Sequence, residues 1–312
     1  METDSQQVET PTGDAPPVEA PTPEPEESAA EGADAVLLRG ADLLSPLEAS
    51  QLAATGNTRL VIWAGERDSG KTTLSAELYE RHRNGAARTA FAGSSTLLGF
   101  EERIHPARAD SERLTPRTLR TEADPEQREL LHLAIRYGEY VTHLLLADIP
   151  GELFRRIRDH ELSPVDIRLL SHADKLAVLV DGARIADPST RATAISFARQ
   201  LIDELAEGDL PGEKMDVALL LTKLDLVLAA DSTALAYWEQ GEPSLLEAIR
   251  QISSQARALR TAARGLEDGP NGMEELMDWL LAAPPDPPED QLSPADVPPA
   301  RIQRIRHPRT AP

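Results

Sequence analysis

Short apolar runs alternate with helical stretches through the middle of the chain. Five of these runs read as strands, at 59–64, 130–135, 141–146, 176–180 and 217–221. Residues 71–84 follow the first run and read as a helix with exposed charge, whereas 136–140 read as a turn. Nearly continuous apolar strands separated by helices are typical of a mostly parallel sheet with helices on both faces. The pattern predicts an α/β fold, and ligands of such sheets bind beyond the carboxyl ends of the strands.

The two ends of the chain differ in composition from this middle part. Of the 25 prolines, six precede residue 35 and nine follow residue 282. Residues 1–34 also carry ten acidic side chains and no basic one, and such a segment cannot bury enough apolar surface to offset its ordering entropy. We therefore expect a disordered acidic, Pro-rich leader over 1–34, one folded domain over 35–282, and a disordered Pro-rich tail with a basic tip over 283–312.

The charge and the residue content exclude several classes of protein. A net charge of −21 argues against a nucleic-acid-binding surface, because counterion release rewards clustered Lys and Arg. The chain has no cysteine, which excludes disulfides and thiolate metal sites. No apolar run approaches the ~20 residues of a membrane span, and acids stand where a secretory signal needs basic residues. We expect a soluble, cytoplasmic protein whose ligand is a small molecule or a protein.

The histidines do not indicate a metal site. None of the seven shows the H-x-x-H or H-E-x-x-H spacing of zinc ligands. His132 and His143 lie inside strand candidates, and we expect them to be partnered residues of the sheet.

The first motif lies where the first strand meets the first helix. Residues 65–72 read G-E-R-D-S-G-K-T and fit the phosphate-loop pattern G-x-x-x-x-G-K-[ST] without a mismatch. Glycines let backbone N–H groups surround phosphate oxygens, and the helix N-terminus adds positive partial charge there. Lys71 would reach the outer phosphates, and Thr72 would bind Mg²⁺. The expected nucleotide contacts along the loop are Asp68, Ser69, Gly70, Lys71, Thr72 and Thr73.

Two further motifs follow later strands. Residues 148–151 read D-I-P-G; Asp148 could hold a magnesium-bound water, and Gly151 could offer its N–H to a terminal phosphate. Residues 222–225 read T-K-L-D and fit [NT]-K-x-D. The carboxylate of Asp225 can accept hydrogen bonds from the N1–H and the amino group of guanine, while the stem of Lys223 lies along the base. Each motif is common by itself, so the order and spacing of the three carry the inference.

In this order, with each motif at a strand end, the chain resembles the translation-factor and Ras-like class of P-loop GTPases. More narrowly, residues 64–73, 97–101 and 147–152 resemble bacterial double-GTPase domains, and the likeness spans about residues 60–281. The resemblance implies one G domain that binds GTP or GDP with Mg²⁺. It also implies GTP hydrolysis coupled to the ordering of switch loops, and a protein effector or regulator as partner.

The class has two more elements whose residues are less certain from spacing. A switch threonine binds Mg²⁺ and the γ-phosphate; Thr115, Thr118 and Thr121 are candidates, and we favour Thr118. A small turn near the base precedes the closing helix, here 272–281, and we assign it to Thr261 and Ala262. The competing segment, 253–256, reads as part of the preceding helix.

The residues that would carry out hydrolysis depart from the Ras-like pattern. Glu152 stands where that class places a water-orienting glutamine. A carboxylate there would be repelled by the γ-phosphate, so we expect slow intrinsic hydrolysis. Arg117 is our candidate for stabilising transition-state charge alongside Lys71, with the alternatives Arg120, Arg155 and Arg156.

Two alternatives of a different kind stay open at this point. The chain could be an interaction scaffold that binds nucleotide with little or no turnover, which Glu152 permits. It could also be a P-loop ATPase or kinase if the match at 222–225 is accidental. The sequence does not show whether two copies form a nucleotide-dependent dimer.

Overall fold

A computed structural model describes residues 43–55, 57–83, 88–98, 101, 130–210, 215–253, 255–263 and 271–282. Seven strands form one sheet: β1 (Asn57–Ala64), β2 (Ala90–Gly93), β3 (Leu130–Tyr137), β4 (Tyr140–Ala147), β5 (Lys175–Asp181), β6 (Asp216–Thr222) and β7 (Arg257–Arg260). Their order across the sheet is β2-β3-β4-β1-β5-β6-β7. Strands β4, β1, β5, β6 and β7 are paired in parallel, while β3 is antiparallel to both of its neighbours. The mostly parallel α/β fold is thus confirmed.

Helices cover both faces of this sheet. They are α1 (Pro46–Thr55), α2 (Lys71–Arg83), α3 (Gly151–Arg158), α4 (Gly182–Ala186), α5 (Arg191–Glu207), α6 (Leu224–Ala229), α7 (Ser232–Arg250) and α8 (Met273–Leu281). Successive residues of a strand point to opposite faces. Ile62 of β1 therefore packs in the core under α3, α5 and α7, whereas Val61 and Trp63 pack with α2 and α8. Within the described part of the chain, no helix combines the length and apolar character needed to cross a bilayer.

The five predicted strands and the two helices predicted at 71–84 and 272–281 are present, but other elements were not assigned from the sequence, among them two strands. Strands β2 and β7 have four residues each and lie at the two edges of the sheet. Neither contains a continuous buried run, and in β7 only Leu259 is buried. Helix α1 was not predicted either. Short edge strands give little hydrophobic signal, because half or more of their side chains face water.

One expectation about the last third of the chain was wrong. The segment 253–256 was read as part of the preceding helix, but α7 ends at Arg250. Ser253 instead lies in the following loop, where its hydroxyl donates to the carbonyl of Met215 at 3.3 Å. Ser253 therefore lies near the amino-terminal ends of β6 and β7, away from their carboxyl ends.

The two strand histidines are partnered, as expected. Nε2 of His132 and Nδ1 of His143 are 3.0 Å apart, and the rings are stacked. The backbone N–H of Ser95 donates to Nδ1 of His132 at 2.8 Å, so the neutral ring of His132 carries its proton on Nε2. Burial, followed by the nearby His143, lowers the pKa of His132 to about 4. A second proton on His132 would remove the acceptor that Ser95 uses.

This arrangement predicts a loss of stability in acid. The unfolded chain takes up a proton at His132 near pH 6.5, whereas the folded chain does so only near pH 4, so stability falls as pH drops through this window. We expect His132 to contribute a loss of about 2 kcal/mol in the free energy of unfolding between pH 7 and pH 5. Urea unfolding at both pH values measures it, and His132→Asn should remove this part of the dependence. An identical pH dependence in the variant would contradict the assignment.

Candidate functional site

The three sequence motifs meet at the carboxyl ends of the parallel strands. Each follows directly on the carboxyl end of a strand: β1 ends at Ala64, β4 at Ala147 and β6 at Thr222. In the sheet register, Ile62 of β1 pairs with Ala147, and Asp181 of β5 pairs with Thr222. The parallel arrangement therefore brings loops that are far apart in sequence to the same end of the fold.

The loop between β1 and α2 has the backbone shape of an anion site. Asp68 has φ 62° and Gly70 has φ 94°, so two residues of the loop adopt left-handed conformations. Such turns direct backbone N–H groups to one side, and here the N-terminus of α2 begins directly afterwards, at Lys71. Ser69 is buried. Its backbone N–H donates to the carbonyl of Glu66 at 3.4 Å.

Lys71 is fixed over the start of this loop. Its Nζ donates to the carbonyl of Gly65 at 3.0 Å and to that of Glu66 at 2.7 Å, and the residue is only 7% exposed. Burial lowers the pKa of Lys71 to about 8, against the carboxylates of Asp148 and Glu152, which raise it. A desolvated ammonium group is costly without a strong anionic partner. Nucleotide phosphates are such a partner.

A hydroxyl and a carboxylate from two motifs face each other beside Lys71. The Oγ1 of Thr72 is 3.3 Å from both carboxylate oxygens of Asp148. Mg²⁺ in nucleotide sites is held by one or two protein oxygens, with water and phosphate oxygens completing its shell. This donor set fits Mg²⁺. Thr118, the third predicted metal ligand, lies outside the described residues, as do its alternatives Thr115 and Thr121.

The second motif touches the phosphate loop through its glycine. A Cβ on Gly151 would lie 2.3 Å from the backbone N of Arg67 and 2.5 Å from the carbonyl carbon of Glu66. Only glycine fits there, so the two main chains are in contact. Glu152 follows at once, in the first turn of α3. Sequence reasoning did not single out Arg67, because only the fold brings it next to Gly151.

The candidate arginines are distributed unevenly around this contact. Arg155 and Arg156 lie in the last turn of α3, and Arg156 forms an ion pair with Glu161 at 3.9 Å. The predicted Arg117 and its alternative Arg120 lie outside the described residues. The side chain of Arg67 is 65% exposed, with Asp68 at 3.7 Å.

The third motif is tied to the phosphate loop. Nζ of Lys223 donates to the carbonyl of Asp68 at 2.6 Å and pairs with the carboxylate of Asp181 at 2.9 Å. The hydroxyl of Thr222 donates to the carbonyl of Ser69 at 2.8 Å. Asp225 follows in the first turn of α6, and partial burial raises the pKa of its carboxyl group.

The turn predicted to lie near the base adjoins this third motif. The N–H of Thr261 donates to the carbonyl of Leu221 at 2.8 Å, and the N–H of Leu224 donates to the carbonyl of Thr261 at 2.9 Å. Thr261 and Ala262 are both buried. Ser253 of the competing segment lies at the opposite ends of these strands, beside Met215, so the geometry favours Thr261 and Ala262.

A known protein family matches most of the chain. A model of the Double-GTPase 2 family matches residues 59–280. The chain belongs to this family. Among solved structures, the chain is similar to one in the signal recognition particle receptor SRb-GTP/SRX complex from Chaetomium thermophilum, at 17% sequence identity and a TM-score of 0.42, covering 72% of this chain and 97% of that one. No curated protein matches the sequence.

Membership confirms the resemblance to double-GTPase domains and settles the coarse activity. The chain is a GTP-binding P-loop GTPase. The alternative of a P-loop ATPase or kinase is therefore not favoured.

Proposed function

We propose that this GTPase is a guanine-nucleotide switch that hydrolyses GTP slowly with Mg²⁺ and binds a protein partner in one of its two states. The observation that carries the proposal is the bridge made by Lys223, whose ammonium group contacts both Asp68 and Asp181. This bridge joins the loop that would hold the phosphates to the loop that would read the base. A site with both parts joined can bind a whole nucleotide in one orientation.

We assign roles to the residues as follows. The phosphates would be held by Lys71 and by the loop amides from Asp68 to Thr73, with Gly151 offering its N–H to the last phosphate. Thr72, Asp148 and Thr118 would hold Mg²⁺, which when bound neutralises charge on the phosphates. Asp225 would accept two hydrogen bonds from guanine, beside the stem of Lys223. Thr261 and Ala262 would support the base from the other side.

Hydrolysis would be limited by the residue after Gly151. Glu152 lies close enough to Lys71 to raise its pKa, so its carboxylate would share the electrostatic environment of a terminal phosphate bound by Lys71. The carboxylate of Glu152 and the terminal phosphate would repel each other. This repulsion opposes the approach of the water that Glu152 would orient. A charge-stabilising arginine, for which Arg117 remains our candidate, would offset part of this cost.

The remaining parts of the proposal concern the whole chain. We propose a folded domain over 35–282 between an acidic leader over 1–34 and a tail over 283–312, in a cytoplasmic protein. A protein effector or regulator would bind the nucleotide-dependent loops, and a nucleotide-dependent dimer is one form such a partner could take. A scaffold with little or no turnover is the second candidate, and the carboxylate of Glu152 favours it.

Replacing Glu152 separates these two candidates. We expect Glu152→Gln to raise the single-turnover rate of GTP hydrolysis roughly tenfold, because it removes the repulsion and retains a group that can orient water. Glu152→Ala should not show the gain, and Glu247→Gln, at an exposed carboxylate on α7, is the matched control. Equal rates for wild type and both Glu152 variants would contradict the role of Glu152. Absence of phosphate release from wild type, with and without cell extract, would favour the scaffold.

A further inference from the structure

The turn that leaves β5 touches both halves of the nucleotide site. Strand β5 lies between β1 and β6 in the sheet, and residues 181–184 read D-G-A-R at its carboxyl end. Asp181 pairs with Lys223 of the base loop. Arg184, in α4, pairs through its guanidinium group with the carboxylate of Glu66 in the phosphate loop. One turn thus holds an ion pair to each loop.

The base-loop side of this turn is closely packed. A Cβ on Gly182 would lie 2.2 Å from the carbonyl oxygen of Thr222 and 2.7 Å from that of Lys223. The carboxylate of Asp181 also accepts from the N–H of Ala183 at 2.9 Å, which fixes the start of α4. Arg184 therefore projects toward the phosphate loop from a rigid support.

The phosphate-loop side of the turn connects to Lys71. Glu66 accepts on its carboxylate from Arg184, and on its backbone carbonyl from Nζ of Lys71 at 2.7 Å. The side chains of Arg184 and Glu66 are 26% and 22% exposed, so water screens the pair only in part. Glu66 therefore connects Arg184 to Lys71.

The charge of Glu66 gives the ion pair with Arg184 an electrostatic role in addition to packing. A carboxylate in a loop that receives phosphates opposes the binding of those phosphates, unless a cation neutralises it. Arg184 supplies that cation from outside the loop. With Arg184 removed, the loop would keep an uncompensated negative charge next to its ligand.

We propose that Arg184 is a positioning residue for the nucleotide phosphates, which neutralises Glu66 and holds the backbone that fixes Lys71. This inference rests on the guanine-nucleotide site proposed above. It assigns a function to α4, an element outside the three sequence motifs. It also predicts that Arg184 and Glu66 are coupled, so that the cost of losing one depends on the presence of the other.

The test is the rate of GDP release from the full chain, followed with a fluorescent GDP analogue. We expect Arg184→Gln to release it about tenfold faster. The double variant with Glu66→Gln should return to within about threefold of wild type, because both charges are then absent. The preference for GDP over ADP should not change, since the base loop is intact. Arg199→Gln is the matched control, because Arg199 pairs with Asp203 on the exposed side of α5.

Several results would overturn the proposal. Release of the GDP analogue from Arg184→Gln at the wild-type rate would overturn it. A double variant that releases the analogue as fast as Arg184→Gln alone would also overturn it, because the loss of a purely structural arginine is not rescued by removing a carboxylate. Should circular dichroism show that Arg184→Gln does not fold, Arg184→Met carries the same comparison, because it also removes the charge and keeps an unbranched side chain. Failure of wild type to bind GDP would instead refute the proposed function.

Discussion

Replacing Lys71 by alanine is expected to weaken GDP binding about 1000-fold, which corresponds to about 4 kcal/mol. The ammonium group of Lys71 is buried and is aimed by two carbonyl groups, those of Gly65 and Glu66. A cation fixed in this way loses little further entropy when it meets phosphate. Its removal leaves buried phosphate oxygens without their main counter-charge.

Isothermal titration calorimetry with GDP measures this loss in affinity. Arg250→Ala is a suitable control, because Arg250 is an exposed cation in the last turn of α7, away from the loops at the strand ends. Thermal unfolding of the ligand-free variant shows whether the fold is retained. An affinity within tenfold of wild type would mean that Lys71 does not contact the phosphates.

Replacing Asp225 by asparagine is expected to change the base specificity of the site from guanine to xanthine. A carboxylate accepts from both N1–H and the amino group of guanine, whereas the amide of asparagine presents one acceptor and one donor. Xanthine carries a carbonyl where guanine has its amino group, so it matches the amide. A site that pairs polar groups in this way rejects the wrong base strongly, because the mismatch leaves desolvated groups unpaired.

We expect the ratio of the affinities for GDP and XDP to change by a factor on the order of 1000 in favour of XDP. Competition of both nucleotides against a fluorescent guanine nucleotide gives the ratio for wild type and for Asp225→Asn. Asp203→Asn, on the exposed side of α5, is the matched control. If the variant still prefers GDP, Asp225 does not read the base, and the assignment of the third motif is wrong.

The sequence predicted the centre of the fold and the location of the site, for a definite physical reason. Strands β5 and β6 are buried at every position, and their central residues, 176–180 and 217–221, form uninterrupted apolar runs. The third motif follows the run of β6, and the first two motifs follow those of β1 and β4. A parallel sheet brings the ends of its strands together. Elements with a mixed pattern, such as β2 and β7, gave no comparable signal.

Contacts between loops could not be predicted from the sequence. Lys223 and Asp68 are 155 positions apart, and nothing in either motif indicates that the ammonium group also meets Asp181. The pair of Arg184 with Glu66 and the contact of Gly151 with Arg67 are of the same kind. Each depends on the order of the strands across the sheet, which propensity and spacing do not specify. The roles of Arg117 and Thr118 stay predictions.

The contact between Gly151 and Arg67 also bears on how this family can diverge. The spacing between the phosphate loop and the start of α3 is set by main-chain atoms on both sides, and the side chain of Arg67 takes little part in it. Related chains could therefore exchange the side chain at position 67 while residue 152 keeps its distance from the loop. Selection could thus change the side chains next to the terminal phosphate, whereas the main-chain contact between the two segments would be inherited unchanged.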